Sequence, residues 1–259
     1  MSDKKNILQK IVENKKQELE KIKSNWENFK KIFLEKKANI IWEIKLASPK
    51  FNYSEEINIE EVFKFYWENK NIKAISNLID ESFFSWDINR WKFFKEKYNK
   101  PIFFKEFVIS KTQIDWASYF GYDALLLLER VLTKEELIEF VEYSNSKNIF
   151  PIIEVDTEIW LEKVLNLSLD YWIAVNCRNL WTMEIERKKH FSIIEKYKNK
   201  LENKLIFAFS WIDNLEQVKE YKWIYNGVLI GSYFMNKTMI NFIKKNYRKS
   251  RKFLRRWKV

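Results

Sequence analysis

Eight short runs of β-branched and aromatic residues recur through this chain, each followed by a stretch with amphipathic helical spacing. The runs are "NIIWEIK" (39–45), "KAISNLI" (73–79), "PIFFKEF" (101–107), "DALLLL" (123–128), "IFPIIEV" (149–155), "YWIAVN" (171–176), "KLIFAF" (204–209) and "NGVLIG" (226–231). Helical candidates between them include "IEEVFKFYWENK" (59–70), "TKEELIEFVEYSNSK" (133–147) and "NLEQVKEYK" (214–222). Thr133 with Glu136 three residues on is a capping-box pattern, and Asp213 or Asn214 precedes the seventh helix. Runs that are apolar on both faces belong to parallel strands covered by crossover helices. Eight such units in about 220 residues predict an α/β fold, a closed (β/α)8 TIM barrel rather than an open doubly wound sheet. Residues 1–259 read as a single barrel domain, with 1–35 a helical extension over the barrel bottom and 244–259 a basic helix or tail.

Charge and cysteine content narrow the function classes. The net charge is +11, but nine basic residues and no acid lie between Lys244 and Lys258, which leaves little excess elsewhere. That places the charge on one terminal helix, where cations also suit the helix dipole, and not along a nucleic-acid groove; the helix reads as a solvated face, with a weak polyanion-binding tail as the alternative. No apolar stretch approaches the roughly 20 residues needed to span a bilayer, and the charged N-terminus has no signal-peptide core. The single Cys177 cannot form an internal disulfide, and no His/Cys cluster has metal-ligand spacing. No GxGxxG follows the first strand, so a dinucleotide fold is not expected. A cytoplasmic monomer acting on a small molecule, without metal or organic cofactor, is the expectation.

In such barrels chemistry sits where the strands end at their C-terminal rim, and an ionisable residue inside an apolar strand is costly unless paired or used. Glu43 and Lys45 lie two apart on the first run and so point to one side. Lys105 interrupts the third run, and Glu154 closes the fifth. Asn176 and Arg178 end the sixth and supply hydrogen-bond donors. Ser210, and Gly231 with Ser232, end the seventh and eighth, where these barrels often hold phosphate. The only histidine, His190, follows a charged stretch and is expected at the surface. Such a rim performs lysine and carboxylate acid–base work rather than triad or metal hydrolysis.

Taken in order, "IIWEIKLASP", "AISNLIDESFFSW", "PIFFKEFVISKTQIDWASYFGYDALLLL", "PIIEVDTEIWLEKVL", "WIAVNCRNLWTMEIE" and "NGVLIGSYFM" resemble the indole-3-glycerol phosphate synthase family, over roughly residues 5 to 245. The resemblance implies conversion of a carboxyphenylamino-deoxyribulose phosphate to indole-glycerol phosphate by ring closure and loss of CO2 and water. It implies Lys105 as the acid at the substrate ketone and Glu154 as an acid–base partner, with Lys45 and Glu43 serving ring closure and dehydration. Asn176 and Arg178 would orient substrate and side chains. Ser48, Ser210, Trp211 (through its backbone), Gly231 and Ser232 would hold phosphate, and Phe84 and Phe107 would flank the anthranilate ring.

Departures from the family pattern are equally specific. Trp86, Trp211 and Trp223 stand where the family has glycine, in a chain with only 3 Gly but 12 Trp. At average usage of about 7% a chain of this size would carry roughly 18 glycines. Translation of UGA codons as Trp where the source cell reads Gly would account for both counts. Phe209 replaces a family Glu, which no such recoding explains, and Phe51 and Ala174 stand near or at family glycines. Two other readings follow: another phosphate-binding barrel of the sugar-phosphate isomerase type, or a degenerate, non-catalytic barrel.

Overall fold

A computed structural model describes residues 12–13, 16, 26–44, 47–48, 51–52, 64, 67–79, 100–178, 187–210, 212 and 215–234. Eight strands form the barrel: β1 (Asn39–Ile44), β2 (Ile72–Leu78), β3 (Ile102–Lys105), β4 (Ala124–Leu128), β5 (Phe150–Val155), β6 (Trp172–Asn176), β7 (Ile206–Phe209) and β8 (Gly227–Ile230). Each pairs in parallel with its sequence neighbours, and β1 also pairs with β8, from Asn39 opposite Gly227 to Trp42 opposite Ile230, which closes the sheet. The described helices are α1 (Trp26–Phe33), α2 (Lys111–Tyr119), α3 (Lys134–Ser146), α4 (Glu158–Leu165), α5 (Arg187–Tyr197) and α6 (Leu215–Tyr221). All eight expected runs are strands, to within one or two residues at their ends. None of the described helices is long and apolar enough to cross a membrane.

Helix starts follow local chemistry. Thr133 caps α3, its hydroxyl accepting from Glu136 N while the Glu136 carboxylate accepts from Thr133 N, so two orphan donors are satisfied. Ser110 and Gln113 make the same box at α2. Residues 213 and 214, the expected cap of α6, lie outside the described residues, as do residues 235–259 with the basic tail.

Side-chain alternation divides the strands into two apolar layers. Leu125, Leu127, Ile153, Val175 and Val228 point outward into the helix layer. Phe103, Leu126, Ile152, Ala174 and Leu229 point into the barrel. The lower interior is an aromatic plug. Trp172 packs against Phe150 at 4.0 Å and Phe207 at 5.5 Å, and α1 inserts Phe29 and Phe33 beneath them. α1 is tied there by side-chain amides: Asn226 Nδ2 donates to Phe33 O at 2.8 Å and Asn39 Nδ2 to Ile32 O at 3.1 Å. Gly227 is required by this packing, because a Cβ would lie 2.6 Å from the Phe207 ring and 2.9 Å from that of Phe33. α1 therefore covers the end of the barrel opposite the strands' C-terminal rim.

His190 corrects the sequence-based expectation, since it is buried in the helix layer on α5 and only 3% exposed. Its Nε2 faces Val175 O at 2.7 Å, and its Nδ1 faces the Tyr225 hydroxyl at 2.6 Å. A carbonyl only accepts, so Nε2–H donates to Val175; with the buried ring neutral, Nδ1 carries no proton and accepts from Tyr225. A charged helix sequence concealed this, because the polar partners come from β6 and from the segment before β8. Burial pushes the imidazole pKa down to about 4, against the opposing effect of the Val175 carbonyl. A folded value below the unfolded one means that the stabilisation is complete above about pH 6.5 and is lost as pH falls toward 4. The expected loss is about 3 kcal/mol. His190→Gln should flatten the pH dependence of the urea midpoint in that window, and an unchanged slope would refute the assignment.

Candidate active site

The upper interior of the barrel is polar because the same alternation that buries Ile41, Phe103, Ile152 and Ala174 carries the next inward position on four strands to a charged or polar residue. Those positions are Glu43 on β1, Lys105 on β3, Glu154 on β5 and Asn176 on β6. All but Lys105 are buried; the lysine side chain is 19% exposed. Lys105 Nζ stands 3.8 Å from Glu43 Oε2 and 3.9 Å from Glu154 Oε2. Three strands thus converge on one ammonium group.

Both separations exceed hydrogen-bond length, so Lys105 is held between the carboxylates by charge without committing an N–H to either. Asn176 fixes the Glu154 side of this arrangement. Its Nδ2 donates to Glu154 Oε1 at 2.7 Å and its Oδ1 accepts from Arg178 N at 2.9 Å. Among the described residues Glu154 Oε2 has no hydrogen-bond partner, which leaves it as a proton acceptor facing the lysine. On the opposite wall Gly231 makes room for Glu43: a Cβ there would lie 2.7 Å from Glu43 Oε1. Phe209 closes the layer from β7, with Lys105 Nζ 5.8 Å from its ring centre. Buried carboxylates sharing a single, partly exposed ammonium are weak contributors to stability, and such a cluster in an otherwise apolar interior points to use.

The remaining residues divide by position. Arg178 is half-buried just past β6. Ser210, directly after β7, is half-buried with φ of 66°, a left-handed backbone that turns the chain sharply at the rim. Ser232 is exposed after β8, and Phe107 is exposed after β3. Ser48 belongs to a two-residue strand that pairs antiparallel with Phe51–Asn52, so a small hairpin follows β1. Lys45, Phe84 and Trp211 lie outside the described residues, as does Trp86. Ser76, which sequence reading passed over, lies on β2 in register with Glu43 and Phe103, fully buried and with no hydroxyl partner among the described residues. A polar residue two positions from Ala74 on an apolar strand was the available signal. Among the described residues no group of His, Cys, Asp and Glu is arranged to hold a metal ion.

Fold and rim together define a (β/α)8 barrel whose C-terminal rim gathers acidic and basic side chains. A family model described as indole-3-glycerol phosphate synthase matches residues 1–245, and the chain belongs to that family. The indole-3-glycerol phosphate synthase of Bacillus cereus is 32% identical over 249 residues, covering 91% of this chain and 95% of that protein. That of Aquifex aeolicus is 31% identical over 222 residues, covering 85% of each. Among solved structures, a tryptophan synthase α-subunit from Campylobacter jejuni superposes with a TM-score of 0.57 at 16% identity, over 82% of this chain and 95% of that one. A mutant α-subunit from Pyrococcus furiosus gives 0.58 at 13% identity, over 86% and 97%. At that identity the likeness is one of fold.

Gly231→Ala tests the packing of the rim. The added methyl is expected to displace the Glu43 carboxylate and lower turnover about tenfold while thermal stability changes little, since the neighbour that must move is a side-chain tip. Full activity in this variant would show that Glu43 does not need its present position.

Proposed function

We propose that this chain is an indole-3-glycerol phosphate synthase, a carboxy-lyase of tryptophan biosynthesis that converts 1-(2-carboxyphenylamino)-1-deoxyribulose 5-phosphate to indole-3-glycerol phosphate. The observation that carries the reading is the Lys105 ammonium suspended between Glu43 and Glu154 in a chain of this family. Lys105 protonates the ketone oxygen as the carboxylate-bearing ring carbon attacks the carbonyl carbon, so a C–C bond forms and the ketone becomes a hydroxyl. The C–CO2 bond then breaks and returns its electron pair to the ring. In the last step an acid protonates the departing hydroxyl while a base takes a proton from the neighbouring methylene carbon, and water leaves. Glu154, with one oxygen occupied by Asn176 and the other without a partner among the described residues, suits the base role; Glu43 and Lys45 serve ring closure and dehydration.

Asn176 and Arg178 orient these groups and the substrate. Ser48, Ser210, the backbone at Trp211, Gly231 and Ser232 take the phosphate, consistent with the usual anion site beyond strands seven and eight of such barrels. Phe84 and Phe107 flank the anthranilate ring. Neither metal nor organic cofactor is required by this chemistry, and the substrate's phosphate and carboxylate suit a rim with cationic and amide donors. One observation favours a second reading, a non-catalytic barrel: Phe209 is an apolar, fully buried residue where the family carries a carboxylate.

Incubation of the purified chain with the carboxyphenylamino substrate should yield indole fluorescence. Lys105→Ala should lower the rate by at least about 10²-fold with the fold retained by circular dichroism. Well-folded chain that yields no indole signal would favour the non-catalytic barrel instead.

A further inference from the structure

We propose that Phe209 is a positioning residue that keeps the Lys105 ammonium available as a proton donor, an inference that rests on Lys105 being the acid of the reaction above. β7 delivers Phe209 into the same interior layer as Glu43, Lys105 and Glu154, where it is 1% exposed. Its ring is braced by Phe103 at 5.8 Å and tilted 52° to it. The Lys105 Nζ lies 5.8 Å from the ring centre, within reach of the aromatic quadrupole.

The near-equal distances to Glu43 and Glu154 follow from what Phe209 is. A carboxylate at this position, as in the family pattern, would offer the ammonium a third anionic partner and draw it toward a close, hydrogen-bonded pair. An aromatic face attracts a cation without accepting a conventional hydrogen bond, and it adds no third buried negative charge to desolvate. Lys105 therefore rests between two acids at 3.8 and 3.9 Å, with no hydrogen bond to either and, among the described residues, no other acceptor to take up its protons. The replacement preserves attraction while removing competition.

Phe209→Leu and Phe209→Tyr separate this role from packing, because the two predict opposite orders. Leu fits a buried apolar site better than a phenol, whereas only Tyr keeps the aromatic face. Phe209→Leu should lower kcat about fivefold with KM unchanged, and Phe209→Tyr should stay close to the parent. Labelling of Lys105 by a small amine-acylating reagent, read by peptide mass, needs no substrate. It should be about fivefold faster in Phe209→Leu than in the parent or Phe209→Tyr. Equal labelling in all three proteins overturns the proposal. Parent chain inactive toward the carboxyphenylamino substrate overturns the function reading alone, since labelling still decides whether Phe209 governs Lys105.

A separate observation concerns residue 223. Three described helices are followed, two residues beyond their last helical residue, by a left-handed backbone: Gly121 at φ 68° after α2, Asn148 at 58° after α3, and Trp223 at 70° after α6. Gly and Asn are the residues that adopt this conformation readily; a bulky side chain there is an outlier. Trp223 is 79% exposed, so burial of the indole offsets little of the strain. We infer that the source cell reads codon 223 as glycine. The peptide containing residue 223, taken from protein isolated from that cell, should have the mass of the glycine form, and the codon should be UGA. A tryptophan-containing peptide or a UGG codon overturns this.

Discussion

The pairing of β1 with β8 is the contact on which the rest of the structure depends. It turns eight parallel strands into a closed layer, so no strand edge is left exposed and every second side chain faces an enclosed interior. An enclosed interior must be filled. α1 fills the lower end from outside the repeat with Phe29 and Phe33, which meet Trp172 and Phe207 in one aromatic stack. Gly227 sits on the closing strand at the point where no side chain fits between those rings. The upper end is left to polar groups, and its shape follows from the same closure.

Charge in that upper end is tolerated because each group is partly answered. Glu154 has Asn176 on one oxygen and Lys105 across from the other; Glu43 shares Lys105 from the opposite wall and occupies space that Gly231 leaves open. None of these contacts is optimised as an ion pair, since both lysine separations lie beyond hydrogen-bond length. A cluster selected for stability would collapse into close pairs or be replaced by apolar side chains. One held slightly open suits groups that must exchange protons with a bound molecule. Phe209 contributes by attraction of a kind that takes no proton.

The fold was largely legible in the residue pattern because parallel barrel strands are buried on both faces and read as short apolar runs, while their crossover helices read at a different period. Lys105, Glu154 and Asn176 stood out for the same reason: each is a polar interruption near the end of such a run. His190 was misread because burial of a helix residue depends on what packs against it, here Val175 and Tyr225, and neither is near it in sequence. Ser76 was passed over because a lone serine in a strand carries no charge to mark it.

The sequence alone determined the number and order of the strands, the places of Glu43, Lys105 and Glu154 on the first, third and fifth of them, and membership in a family with a recognisable rim. Tertiary structure alone decided that these groups from β1, β3 and β5 meet within 4 Å, that Asn176 is spent on Glu154, and that Phe209 faces the lysine. Periodicity states which face of a strand a residue occupies. Distance across a barrel depends on how far each strand is staggered against the next as the sheet closes, and that is set by pairing among all eight strands together.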